Sequence, residues 1–220
     1  MRWPVPTQSM RCLWSMTLLA VAACTAPTPS VTGRSFAGPP SDLQSRIALG
    51  RNLVINHSCG GCHGGGDGNP AAAGWLAGSR DTSQEFQIGP FRTRPRNLTP
   101  DNATGLGRFT ERQIFNSMRY GLRPEDTPDV EITSTVPGQG NFPAHPHYLA
   151  IPMPWPGWRN MSDEELYAIA AYLKSGLKPV VNRVAESEGP PDFWASVYTV
   201  DKIGPYPVAA YPTLNETGGH

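Results

Sequence analysis

The chain has 220 residues, 18 basic and 18 acidic side chains, twenty-four prolines and twenty-three glycines. So many helix breakers exclude long solenoid helices and coiled coils, and a neutral balance without a Lys/Arg cluster excludes a basic nucleic-acid binder. With 39% hydrophobic residues the chain is not fully disordered, and its length suits one domain of about 100–150 residues with appendages.

Residues 1–23 read as an export leader. Arg2 and Arg11 precede the apolar run from Leu13 to Ala23, which is shorter than a bilayer span of about 20 residues and fits a signal-peptide core. The run ends in Val21-Ala22-Ala23-Cys24, which resembles the bacterial lipoprotein box, where the cysteine becomes N-terminal and lipidated. Acyl chains on Cys24 would meet the requirement of about two signals for stable anchoring. The competing expectation is ordinary cleavage after Ala22 or Ala23, leaving an exported, unanchored chain. Residues 24–40 hold four prolines and small residues and are expected to form an extended tether.

A helix is expected to open at the capping box Ser41-x-x-Gln44 and to run to about His57, with Leu43, Ile47, Gly50 and Val54 on one face. Gly50 on that face would let the last helix approach closely, with Tyr172 or Leu173 over it. The helix delivers the chain to Cys59-Gly60-Gly61-Cys62-His63. This is the covalent haem-attachment spacing. Two thiols add across the two vinyl groups of one porphyrin edge, the next residue offers an imidazole nitrogen to iron, and the two glycines let backbone pass close to the ring. One haem c is therefore the expected cofactor, with Cys59 and Cys62 as attachment sites and His63 as an axial ligand. A Cys59–Cys62 disulfide, a thioredoxin-like pair and a zinc site are the other uses of such residues; the last two lack the expected βαβ context and a second paired motif.

The second helix is expected from the box Thr110-x-x-Gln113, with Ile114, Phe115 and Met118 apolar and Gly121 as its stop. The stretch from Pro137 to Pro156 then holds six prolines. Within Pro152-Met153-Pro154, the flanking prolines stiffen the backbone and make Met153 the favoured sixth ligand. Met118 on a helix face and Met161 before a helix cap read as packing, and His145 and His147 are the competing ligands. The third helix opens at Ser162-x-x-Glu165, places Leu166, Ile169, Ala170 and Leu173 on one stripe, and ends near Gly176. No segment alternates as a strand. Residues 182–220 read as an irregular C-terminal extension, either an arm packed along the domain or a docking surface. Arg94, Arg96, Asn97, Thr99 and Trp155 are candidate donors to haem propionates.

Taken in order, the haem motif, Asn97-Leu98-Thr99-Pro100-Asp101, Pro152-Met153-Pro154-Trp155 and the run from Met161 through Leu173 resemble the class I c-type cytochromes. They are most similar to the haem modules of cytochrome subunits of bacterial membrane-bound dehydrogenases acting on alcohols, gluconate and nicotinate. The resemblance implies a mostly α cytochrome c fold over residues 41–181: three main helices around one covalent haem, with long Pro/Gly-rich loops. It implies His63 and Met153 as axial ligands, and electron transfer at the periplasmic side of a membrane. The redox partners it implies are a dehydrogenase or quinol-linked donor and a cytochrome or oxidase acceptor, with no nucleic acid involved. A six-coordinate His/Met iron leaves no position for a substrate, so the chain is expected to be an electron carrier rather than an enzyme. A haem with a displaceable sixth ligand that binds a small gas is the alternative. Those subunits commonly carry three haem modules, whereas this chain has one motif.

Overall fold

The computed structural model describes residues 42–65, 68–80, 84–190, 194–196, 199–200, 202–203 and 213–217. The leader, Cys24, the tether, Ser41 and the tail aromatics Phe193, Tyr198, Tyr206 and Tyr211 lie outside them.

The described chain is mostly helical, in the order α1 (Leu43–Asn56), α2 (Cys59–His63), β1 (Phe86–Ile88), β2 (Phe91–Thr93), α3 (Glu111–Tyr120), α4 (Trp155–Trp158) and α5 (Asp163–Ala171). A π-helical turn, Tyr172–Gly176, continues α5. Two of the three longest helices, α3 and α5, open at the capping boxes expected for them. Thr110 and Ser162 each accept a hydrogen bond from the backbone N–H three residues on, and Gln113 and Glu165 return it to the cap, closing two reciprocal boxes. Each box carries a hydrophobic staple. Phe109 and Ile114 flank the cap of α3, Met161 and Leu166 that of α5, and all four pack into one core.

The first cap departs from expectation by one residue. Asp42, not Ser41, caps α1, its carboxylate accepting from the Ser45 N–H at 2.9 Å. Asp and Ser are equivalent N-cap formers, and an acceptor three residues before Ser45 serves as well as one before Gln44. A second departure is a small antiparallel hairpin, with Phe86 opposite Thr93 and Ile88 opposite Phe91. Its three-residue strands are too short to show alternation, and a bridge from Arg92 to Glu188 of the C-terminal segment extends it.

Two apolar clusters hold the elements. The first joins α1, α3 and α5 through Val54, Ile114, Phe115, Leu166, Ile169 and Leu173, with Trp75 beneath. Here α1 and α5 touch backbone to backbone. A Cβ on Gly50 would overlap the Ala168 carbonyl and lie 2.9 Å from Tyr172 Cβ, so the close approach expected at Gly50 is present, made with Ala168 and Tyr172. The second cluster gathers Leu122, Ile132, Phe142, Tyr148, Trp155 and Val200. It gives the long proline-rich segment between α3 and α4 a core of its own, which the sequence did not disclose. No helix among the described residues is long and apolar enough to cross a membrane.

Candidate metal centre

The turn that carries the cysteines is built from its neighbours. Ser58 adopts a left-handed conformation (φ 56°) between α1 and α2, turning the chain so that α2 begins at Cys59. Cys59 and Cys62, three apart on one helical turn, share a side of it. Both are half-buried free thiols. Burial pushes the Cys59 thiol up to about 11, partly offset by a backbone hydrogen bond, with Cys62 adding to the rise. Reactive redox thiols need the opposite shift. Gly60 is buried because a side chain there would overlap the Trp75 indole, whereas a Cβ on Gly61 meets nothing. Gly60 is thus required by Trp75, a reason different from the close porphyrin approach expected of it. Trp75 is itself fixed, its Nε1–H donating to Tyr172 Oη at 2.9 Å.

His63 ends α2 and is held at both ends. Its backbone carbonyl accepts from the Gly78 N–H at 2.7 Å, and its ring Nδ1 lies 2.7 Å from the Arg96 carbonyl oxygen. A carbonyl only accepts, so Nδ1 carries the hydrogen and Nε2 keeps its lone pair. Burial pushes the imidazole below its ordinary value, and the Arg96 hydrogen bond partly opposes this. A neutral, oriented imidazole with one open nitrogen is the form that binds iron, and a carbonyl behind the other nitrogen is the usual support of such a ligand. Among the described residues no three His, Cys, Asp or Glu side chains gather as a metal cluster, so the four ligands of a structural zinc site are not assembled. The residues present fit a covalently held haem, which brings its own four nitrogens to the metal.

Met153 stands in the loop before α4. Its N–H donates to the Ala150 carbonyl and its own carbonyl accepts from the Trp155 N–H, both at 2.8 Å. The side chain is half-buried, between exposed Pro152 and Pro154. The loop is fastened by Trp155, which is 0% exposed, stacks on Tyr148 with ring centroids 6.3 Å apart, and lies against Gly121. His57, two residues before Cys59, has its ring 6.1 Å from that of Trp158 in α4. The turn entering the cysteine motif and the turn leaving Met153 therefore meet.

Part of the chain matches proteins of known role. It is 26% identical over 142 residues to the fructose dehydrogenase cytochrome subunit of Gluconobacter japonicus, covering 64% of this chain and 24% of that one. It is 26% identical over 162 residues to the cytochrome c subunit of the quinone-dependent alcohol dehydrogenase of Komagataeibacter europaeus, covering 74% and 28%. It is 28% identical over 159 residues to the gluconate 2-dehydrogenase cytochrome c subunit of Pantoea cypripedii, covering 71% and 29%. The chain is related to bacterial dehydrogenase cytochrome c subunits. It spans about a quarter of the length of these relatives, and no family model matches it.

Within this cytochrome-related chain, the other residues singled out by sequence have separate work. Met118 is buried in the first core and Met161 packs against it. His145 is exposed, and the exposed His147 places Nδ1 2.9 Å from an Asp126 carboxylate oxygen. The expected propionate donors also have protein partners or places in the core. Arg94 pairs with Glu85, Arg96 with Glu186, and Asn97 with Thr99, Thr104 and the Val180 carbonyl. Trp155 sits in the second core. The part sequence reading missed is the Arg96 carbonyl, because a backbone atom has no residue-type signature.

Proposed function

We propose that the chain is a c-type cytochrome that carries single electrons for a dehydrogenase. Cys59 and Cys62 would each add S–H across one vinyl group of a single haem, forming two thioethers and releasing nothing. His63 Nε2 and Met153 Sδ would be the axial ligands, of which the methionine raises the reduction potential relative to a second histidine. Bound haem supplies one-electron exchange at its iron. The polypeptide orients His63 through Arg96 and Gly78, holds both thiols half-buried, and stiffens the Met153 loop from Trp155. The observation that carries the reading is the His63 ring, held by the Arg96 carbonyl so that Nε2 is open, at the end of the turn bearing both thiols. The relatives' names support a dehydrogenase as donor, with a cytochrome or oxidase as acceptor. Val21-Ala22-Ala23-Cys24 supports export to the periplasmic side and a lipid anchor on Cys24.

The test is the purified full-length protein. Acid–acetone extraction should leave the pigment on the polypeptide, with a mass increase of one haem. Pigment passing into the solvent would refute the attachment. Rapid CO binding by the untreated ferrous protein would favour a displaceable sixth ligand and gas binding instead. For the anchor, wild type should fractionate with membranes and carry lipid on Cys24, and an unmodified N-terminus at Ala23, Cys24 or Thr25 would sink that part.

A further inference from the structure

The segment after the last helix makes a set of contacts for which its sequence gives no obvious reason. Asn182 Nδ2 donates to two carbonyls, Ala77 O at 2.8 Å and Ser79 O at 3.1 Å. These flank Gly78, whose N–H holds the His63 carbonyl. Gly78 has φ +83°, and a Cβ there would lie 2.7 Å from both the Arg96 carbonyl carbon and Asn97 N. Gly78 therefore rests directly on the peptide whose oxygen holds the His63 ring. Two further bonds join the same stretches, Ser79 N–H to Pro95 O at 3.0 Å and Leu98 N–H to Leu76 O at 2.8 Å. On the other side Asn97, 2% exposed, donates to the Val180 carbonyl at 2.8 Å, while the Asn182 N–H donates to Thr104 Oγ at 3.1 Å.

We propose that Asn182 is a positioning residue for the axial histidine, and that the Val180 carbonyl and Asn182 act as a strap clamping the 76–79 and 95–98 stretches together around His63. The chemistry is specific. A primary amide with two N–H donors bridges two carbonyls two residues apart, and nothing shorter or purely accepting does so. Releasing them lets Gly78 move off the Arg96 peptide, and the bond to Nδ1 weakens. A weaker bond makes the imidazole a poorer electron donor, which favours ferrous iron and raises the potential. The electrochemical part rests on the proposed haem ligation; the clamp itself does not.

The experiment compares wild type, Asn182→Ala and Val181→Ala, the last altering a neighbour that is 78% exposed. Amide hydrogen exchange is followed on the full chain in whatever haem state it purifies. In Asn182→Ala the Gly78 and Leu98 amides should exchange about tenfold faster while Ile169 and Ala170 in α5 keep their rates. The midpoint potential of the haem-loaded variant should rise, and Val181→Ala should match wild type in both readings. Unchanged exchange at Gly78 and Leu98, acceleration spread equally over α5, or a potential that fails to rise would overturn the proposal. If Asn182→Ala does not fold, Asn182→Leu keeps the size, removes the donors and adds no charge, and the same readings apply. If wild type holds no covalent haem the cytochrome reading falls, while the exchange comparison still decides the clamp.

Discussion

Replacing Gly50 by alanine sets two opposite effects of one methyl group against each other. In an isolated helix the change stabilises by about 1 kcal/mol, because alanine is the better helix former. Here the new Cβ would lie 2.5 Å from the Ala168 carbonyl carbon and 2.9 Å from Tyr172 Cβ, where carbon atoms normally rest about 3.5–4.0 Å apart. The nearest obstacle is backbone, so no side chain can swing away, and α1 must retreat from α5 by about 1 Å. A gap of that size forfeits about a quarter to a half of each contact's dispersion energy along the interface of Gly50 and Val54 with Ala168, Tyr172 and Leu173. Overpacking typically costs about 1–3 kcal/mol, and a backbone clash belongs at the upper end, so the net loss should be about 2 kcal/mol. For a domain this size that lowers Tm by about 4–8 °C. Gly157→Ala is the control, since a Cβ there meets nothing within 4 Å; it should be neutral or stabilise by up to about 1 kcal/mol. Thermal unfolding followed by circular dichroism reads both. A Gly50→Ala protein as stable as wild type would refute the backbone contact between α1 and α5.

Met153→Ala should lower the midpoint potential and open the iron to CO, whereas Met118→Ala should keep both properties and lose about 2–5 kcal/mol of stability as a truncated core residue; potentiometry and CO titration separate them, and an unaltered potential in Met153→Ala would remove its ligand role. Trp75→Phe keeps much of the ring over Gly60 but leaves the buried Tyr172 hydroxyl without its donor, so denaturant unfolding should show a loss of about 1–3 kcal/mol, and an unchanged midpoint would mean that bond contributes nothing. Asp101 is held below its ordinary value of 3.8, chiefly by the Thr104 hydroxyl and further by backbone N–H groups and Arg183, against a smaller opposing effect of burial. A depressed carboxylate contributes stability that is present above its ordinary value and is lost as pH falls through the folded one. The stability difference between wild type and Asp101→Asn should therefore shrink on acidification below about pH 4; a difference constant down to about pH 2.5 would contradict the assignment.

What the sequence made legible was what local chemistry decides. The Thr110 and Ser162 boxes need only four residues each, and both formed. Gly50 was legible because a glycine on an otherwise apolar helical face has few uses besides close approach. The cap of α1 fell one residue off because Ser41 and Asp42 offer equivalent acceptors. The hairpin was hidden because strands of three residues show no period. The ion pairs of Arg96 with Glu186 and of Arg92 with Glu188 were not legible, because each glutamate lies about ninety residues on in the chain and only the fold brings the partners together.

Those ion pairs are not what orders the His63 support. The Arg96–Glu186 pair leaves Glu186 84% exposed, and such surface pairs contribute about 0–1 kcal/mol. Arg94 with Glu85 is better shielded, the arginine side chain being 7% exposed, yet it braces the β-hairpin side rather than the Arg96 carbonyl. Two neutral amides remain, Asn97 buried and Asn182 half-buried. Asn97 ties Thr99 and Thr104 to Val180, and Asn182 ties Ala77 and Ser79 to one another. A buried amide that loses its partners is left unsatisfied at a cost of about 1–3 kcal/mol, so these bonds resist opening where exposed charges would let water in. In the proposed cytochrome, neutral amides would also hold without placing a further charge beside an iron that changes charge with each electron.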